Sequence, residues 1–210
     1  MQKIIDKISK IENGFKTIEF EAKNIFDSNT VQDSMTLTKD LLKSDIYQVR
    51  SLAVFILGFT ASSDLKALKI LKTIVSRDLS WQVQEILAKS FDQYCNDIGY
   101  EKSIDTIKEW LGDSNPNICR AVTEGLRIWT SRPYFKTNPE VAIQLISQHK
   151  SNESKYLRKS VGNSLRDISK KYKELVNKEL SSWDLSDEKI RFTYKLATKN
   201  VLKTPAANTP

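Results

Sequence analysis

Histidine is almost missing from this chain, and cysteine, proline and glycine are scarce: one His, two Cys, five Pro and six Gly in 210 residues. A zinc site takes four ligands drawn mainly from nitrogen and sulfur, and His149, Cys95 and Cys119 are too few to build one. The two cysteines lack CxxC spacing and stand in helical patterns, a usage that agrees with a cytosolic protein. No apolar run approaches the roughly 20 residues of a membrane span. The opening MQKIIDKISKIENG carries acids early and has no apolar core or small-residue cleavage site, so a cytoplasmic protein without a secretory signal is expected. No segment alternates with period 2 for long, which leaves little room for strands.

What is present is helix pattern and charge. With 40% hydrophobic and 28% charged residues the chain has an ordinary globular mix, and its length allows one sizeable core or one continuous array. The formal net charge is +7. Residues 1–105 hold 14 basic against 15 acidic side chains, whereas residues 106–210 hold 19 against 11, so the whole excess lies in the second half. A basic half favours a polyanionic partner such as nucleic acid; scattered surface lysines kept for solubility are the plainer reading of the same count.

Helical patterns follow one another almost without pause. Amphipathic stretches are expected at 1–12, 14–27 and 30–44, followed by IYQVRSLAVFILGF, whose apolar run from Leu52 to Phe59 predicts a fully buried helix. Further helices are expected at 64–77, from Trp81 to Cys95, at 99–111 and at 138–149. Asn115-Pro116 and Asn138-Pro139 each place a capping amide before a proline at the first helical position, and Ser186 before Asp187 and Glu188 reads as a third start.

Four segments superpose: VRSLAVFILG from Val49, VQEILAKSFD from Val83, ICRAVTEGLR from Ile118 and LRKSVGNSLR from Leu157. Each carries apolar or small residues at offsets 0, +3, +4, +7 and +8, with one further helical segment between successive members. That pattern predicts an all-α, right-handed solenoid of HEAT-like helical hairpins, its second helices lining a concave basic groove. One repeat domain over 1–203 is expected, with hairpins around 30–61, 64–97, 99–131 and 138–172, and a disordered tail at 204–210.

In this register offset +2 holds Ser51, Glu85, Arg120 and Lys159, and offset +6 holds Phe55, Lys89, Glu124 and Asn163; Asp167 follows at +10 in the last repeat. Trp81, Glu85, Arg120, Lys159, Asn163 and Asp167 would then converge on the groove, flanked by Arg127, Arg132, Arg158, Arg166, Lys170 and Lys171. The plainer reading is that Glu85–Lys89, Arg120–Glu124 and Asn163–Asp167 are solvated i,i+4 pairs worth a few tenths of a kcal/mol. Trp110, Trp129 and Trp183 read as packing residues, and Arg132 to Phe135 (RPYF) as a loop that braces the array or reaches a phosphate.

The segments WQVQEILAKSFDQYC, NPNICRAVTEGLRIWTSRPYF and YLRKSVGNSLRDISKKY resemble the AlkC/AlkD-type bacterial alkylpurine DNA glycosylases, over roughly residues 45–185. The resemblance implies a metal-free, cofactor-free, monofunctional enzyme that hydrolyses the N-glycosidic bond of cationic N-alkylated bases such as 3-methyladenine in double-stranded DNA, without flipping the base into a pocket. By position, Trp81 and Glu85 match the family's Trp-x-x-x-acid, in which the acid is the catalytic carboxylate, and Arg120 matches a DNA-contacting arginine. Asp167 looks like the second acid of the AlkC branch. The AlkD branch has aspartate where Glu85 stands and a further tryptophan on the late repeat, where the matching neighbourhood here holds Lys159 and no aromatic beyond Tyr156, so the AlkC branch is expected. Trp81, Glu85 and Asp167 are thus the expected catalytic residues. Arg120, Lys159, Asn163, Arg127, Arg132, Arg158, Arg166 and Lys89 are the expected DNA contacts, on a monomer.

The chemistry suits those residue types. Loss of a cationic base leaves positive charge growing on the deoxyribose, which a nearby carboxylate stabilises while orienting water. An indole beside the sugar adds about 0.5–2 kcal/mol of cation–π attraction. Two other functions fit the same array: a non-catalytic DNA-binding protein for bent or branched DNA, and a protein–protein scaffold. The basic second half argues against the scaffold.

Overall fold

The computed structural model describes residues 1–199, all of it helix, turn and loop, with no strand among them. The expected tail at 204–210 lies outside the described residues. The chain divides into two compact units, Met1–Gly125 and Leu126–Pro210, and the boundary falls inside the hairpin expected at 99–131.

The first unit holds α1 (Gln2–Ile8), α2 (Lys16–Asp27), α3 (Val31–Leu41), α4 (Tyr47–Thr60), α5 (Leu65–Thr73), α6 (Trp81–Ile98), α7 (Ile104–Leu111) and α8 (Pro116–Gly125), with a 3-10 turn at Val75–Arg77. Helices α2, α4, α6 and α8 pack in series, while α3 and α5 cover α4 and α7 covers α8. Being covered on several sides explains the run read as a buried helix: Leu52, Ala53, Val54, Ile56 and Leu57 are fully buried, and Phe55 nearly so. Each large aliphatic side chain so placed contributes about 1.5–3 kcal/mol over its exposed state.

The helices approach closely where the facing residue is small. A Cβ on Gly125 would stand 2.3 Å from the Ala88 carbonyl oxygen of α6, and one on Gly58 would stand 2.6 Å from Ser90 Oγ. Ser90 uses that proximity to donate to Val54 O at 2.9 Å. Trp110 of α7 lies 4.4 Å from the Phe91 ring, buried as expected of a packing residue. The helix expected from residue 99 begins instead at Ile104. Gly99, at φ +95°, ends α6 in a conformation that L side chains rarely adopt, and a turn intervenes.

The second unit holds a 3-10 turn at Trp129–Ser131, α9 (Pro133–Thr137), α10 (Pro139–Ser147), α11 (Lys155–Ser169), α12 (Lys173–Ser181) and α13 (Glu188–Ala197). Helix α11 is central, packed by α10, α12 and α13. Trp129 does not continue α8, as its register implied; it opens the 3-10 turn, fully buried with its ring 4.9 Å from Phe135. Phe135 of the RPYF stretch therefore braces the unit. Trp183 is buried too, its Nε1 donating to Glu179 at 2.9 Å.

Of the three starts read from the sequence, one is capped as expected. Asn115 Oδ1 accepts from Asn117 N at 2.9 Å, as the Asn-Pro reading required. Asn138 instead turns its amide back to donate to Tyr134 O at 3.0 Å, leaving α10 without a side-chain cap. The start expected at Ser186 is capped one residue later, where the Asp187 carboxylate accepts from Lys189 N and Ile190 N, a stronger acceptor than a hydroxyl at the positive helix end.

Candidate functional site

Helix α6 enters from an extended segment held by its own polar groups. The Asp78 carboxylate takes two hydrogen bonds from Arg50 of α4, at 2.7 Å and 3.1 Å, and one from Ser80 N at 2.8 Å. Gln84 donates to the carbonyls of Val75 and Asp78 at 3.1 Å and 2.9 Å. Asp78 and Ser80 are extended (ψ 137° and 122°), so alternate residues face opposite ways. Leu79 projects wholly into solvent, and Trp81, first residue of α6, is 61% exposed.

One turn after Trp81, Glu85 does not pair with Lys89. It accepts from Arg120 Nη2 of α8, whose side chain is only 6% exposed against 36% for Glu85. A half-exposed carboxylate is thus backed by an almost dry guanidinium. Lys89 leans the other way, 3.7 Å from Glu19 of α2. The expected ridge of Trp81, Glu85 and Lys89 stands on α6, but its charges are met from neighbouring helices. Arg120, expected to hold a phosphate, is buried against Glu85.

In the second unit Leu157, Val161, Leu165 and Ile168 of α11 face the core, while Lys159 is exposed and Asn163 half-buried. Asp167 is ringed by cations: Lys170 at 2.7 Å, Arg127 at 3.6 Å and Arg166 at 3.8 Å. Burial raises its pKa, but the hydrogen bond from Lys170 and the charges of Lys170, Arg166 and Arg127 together outweigh that and hold the carboxyl below the ordinary aspartate range. Arg158 is buried, donating to the carbonyls of Asn152 and Glu153 with its guanidinium 5.5 Å from the Phe192 ring. It secures the loop before α11 rather than offering itself at the surface, contrary to the expectation of a DNA contact. Arg132 sits half-buried at the start of α9, and Lys171 is exposed beside Tyr172.

Sequence reasoning gathered Trp81, Glu85 and Arg120 but missed what fixes them, the Arg50–Asp78 clamp. No motif marks a pair 28 residues apart. Among the described residues no group of three or more His, Cys, Asp and Glu is placed to hold a metal, and no helix is long and apolar enough to cross a membrane.

Comparison with known proteins places the chain in a family and a fold. Residues 16–200 match the family described as DNA alkylation repair enzyme. The crystal structure of AlkD2 from Streptococcus mutans superposes with a TM-score of 0.92 at 48% identity, over 95% of this chain and 97% of that one. The Pseudomonas fluorescens alkylpurine DNA glycosylase AlkC, bound to DNA containing an abasic site analog, shares the fold at a TM-score of 0.52 and 17% identity, over 90% of this chain and 62% of that one. YhaZ of Bacillus subtilis (strain 168) is 29% identical over 136 residues, which span 59% of this chain and 38% of that relative. The expected preference for the AlkC branch is not supported: the extensive likeness is to AlkD2. Glu85, taken as a mark of the AlkC branch, differs from aspartate by one methylene on the same carboxylate and did not sort the branches. The all-α array of HEAT-like repeats is the fold of this chain. The chain belongs to the DNA alkylation repair enzyme family.

Proposed function

We propose that this protein is a monofunctional DNA glycosylase that hydrolyses the N-glycosidic bond of cationic N-alkylated bases in double-stranded DNA. The observation that carries the reading is the half-exposed Glu85 carboxylate one helical turn from the exposed Trp81, on a helix start clamped by Arg50 and Asp78. An anion one helical turn from an exposed indole suits a reaction in which positive charge grows on the sugar as a cationic base departs. Glu85 is the carboxylate that stabilises this charge and orients the attacking water; Trp81 supplies cation–π attraction. Arg120 sets the direction of the carboxylate and Asp167 is the second acid. Lys159, Arg127, Arg166 and Lys89 contribute salt-sensitive, sequence-independent affinity for the strand. AlkC, which shares the fold, is an alkylpurine DNA glycosylase seen on DNA, and family membership is in keeping with a repair role.

One observation favours a second reading, a DNA-binding member without excision. Arg120 already neutralises Glu85 in the free protein, which leaves less field for a developing cation. Release of 3-methyladenine from methylated duplex, measured with the wild type and Glu85→Gln side by side, separates the two. Release by the wild type, abolished in the variant while duplex binding persists, is the expected result. Equal release from both would overturn the assignment of Glu85; binding without release from either would install the second reading.

A further inference from the structure

In the second unit a concavity of about 380 Å³ is lined by Ile128, Thr130, Ser131, Lys136, Asp167 and Lys171. Its only acid is Asp167, whose charge is already met from outside the lining by Lys170, Arg127 and Arg166. Lys136 and Lys171 have no carboxylate partner among the described residues, so the walls carry uncompensated positive charge. Thr130 is 7% exposed, and its hydroxyl, which is not sealed from solvent, has no hydrogen-bond partner among the described residues and is free to donate. Ser131 donates to Ile128 O at 2.8 Å, which leaves its lone pairs facing outward and makes Thr130 the free hydroxyl donor. The two lysine-bearing segments are tied together in advance, since the Tyr172 hydroxyl donates to Lys136 O at 2.9 Å. Backbone segments already tied lose less freedom when an anion bridges their lysines. Ile128, 61% exposed, gives the same concavity an apolar patch.

We propose that this concavity is a phosphate site, with Lys136 and Lys171 providing charge, Thr130 Oγ1 a hydroxyl donor, and Ile128 a surface for the sugar attached to that phosphate. Two ammonium groups and a hydroxyl donor suit a phosphate, whose unesterified oxygens each accept more than one hydrogen bond and share its negative charge. The backbone phosphate of a DNA strand is the source assigned here, which rests on the DNA reading above; affinity for the phosphate group itself does not.

Two measurements separate the claims. Inorganic phosphate is titrated into the ¹⁵N-labelled full chain while the amides of Thr130, Ser131, Lys136 and Lys171 are followed. Saturable shifts at these positions are expected, lost in Lys136→Met/Lys171→Met, weakened several-fold in Thr130→Val and kept in the control Lys195→Met; the spectra also report whether each variant is folded. No saturable shift there would overturn the site. Duplex affinity is then measured against salt, where each neutralised phosphate contributes about 0.9 to the slope of log K on log salt. The double lysine variant should lose about one such increment. An unchanged slope with phosphate shifts intact would overturn DNA as the source and leave a site for free phosphate; no duplex binding by the wild type, with shifts intact, would overturn the DNA reading and leave the phosphate site standing.

Discussion

Removing the Glu85 carboxylate takes a hydrogen-bonded counter-ion from the Arg120 guanidinium. The Arg120 side chain is 6% exposed and Glu85 is 36% exposed, so the two variants of Glu85 act on a pair that water reaches from one side only. Breaking a fully buried pair by deleting one partner costs about 3–5 kcal/mol. Water access at the Glu85 end reduces this to about 2 kcal/mol for Glu85→Ala, half the buried figure. Glu85→Gln keeps an oxygen acceptor for Arg120 Nη2 and loses only the charge, a difference of about 1 kcal/mol between charged and neutral hydrogen bonds. For a chain of this size each kcal/mol moves the melting midpoint by about 2–4 °C. Thermal unfolding followed by circular dichroism should therefore show Glu85→Ala lowered by about 4–8 °C and Glu85→Gln by about half of that. Equal midpoints for Glu85→Ala and wild type would refute the view that this ion pair supports the fold. The order also serves the excision assay, because a folded Glu85→Gln that has lost activity has lost chemistry rather than structure.

Gly125→Ala would press a methyl into the Ala88 carbonyl at 2.3 Å, outweighing the gain in helix propensity, and should cost about 2 kcal/mol, read as a fall of the melting midpoint; an unchanged midpoint would show that α6 and α8 separate freely. Asp167 has its pKa lowered in the folded state, so its contribution is present above the ordinary aspartate range and lost as pH falls through the folded value. Asp167→Asn should thus be less stable than wild type in urea at pH 7, with the gap closing below about pH 4; a gap that widens in acid would contradict the cation ring.

The hairpin pattern was legible because every repeat meets a like neighbour, so the same apolar offsets recur wherever a helix is covered on two sides. Val83, Ile86, Leu87 and Phe91 on α6 are buried as that periodicity required, and so are Leu157, Val161 and Leu165 on α11. Ends of elements were less legible. The spacing Ile118, Val122, Gly125, Trp129 is helical on paper, yet α8 stops at Gly125 and Trp129 reaches its aromatic partner from a 3-10 turn. Burial of a large ring satisfies either geometry, so the apolar pattern does not choose between them.

At the site, the residues were legible and their partners were not, because charges were paired along helices at i,i+4 when the structure pairs them across repeats. Glu85 and Arg120 occupy the same offset in consecutive repeats, 35 residues apart. Other polar links span nearly the same distance: Ser90 to Val54 over 36 residues, Lys72 to Glu109 over 37, and, in the second unit, Lys189 to Glu153 over 36. Opposite charges at one offset of adjacent repeats were therefore the signal to follow, since stacking brings equivalent positions side by side. For Glu85 the consequence is functional. Under the proposed function, the carboxylate that would stabilise a sugar cation is set, and part-neutralised, by its own counterpart in the next repeat, whose guanidinium is too buried to be drawn off to the surface.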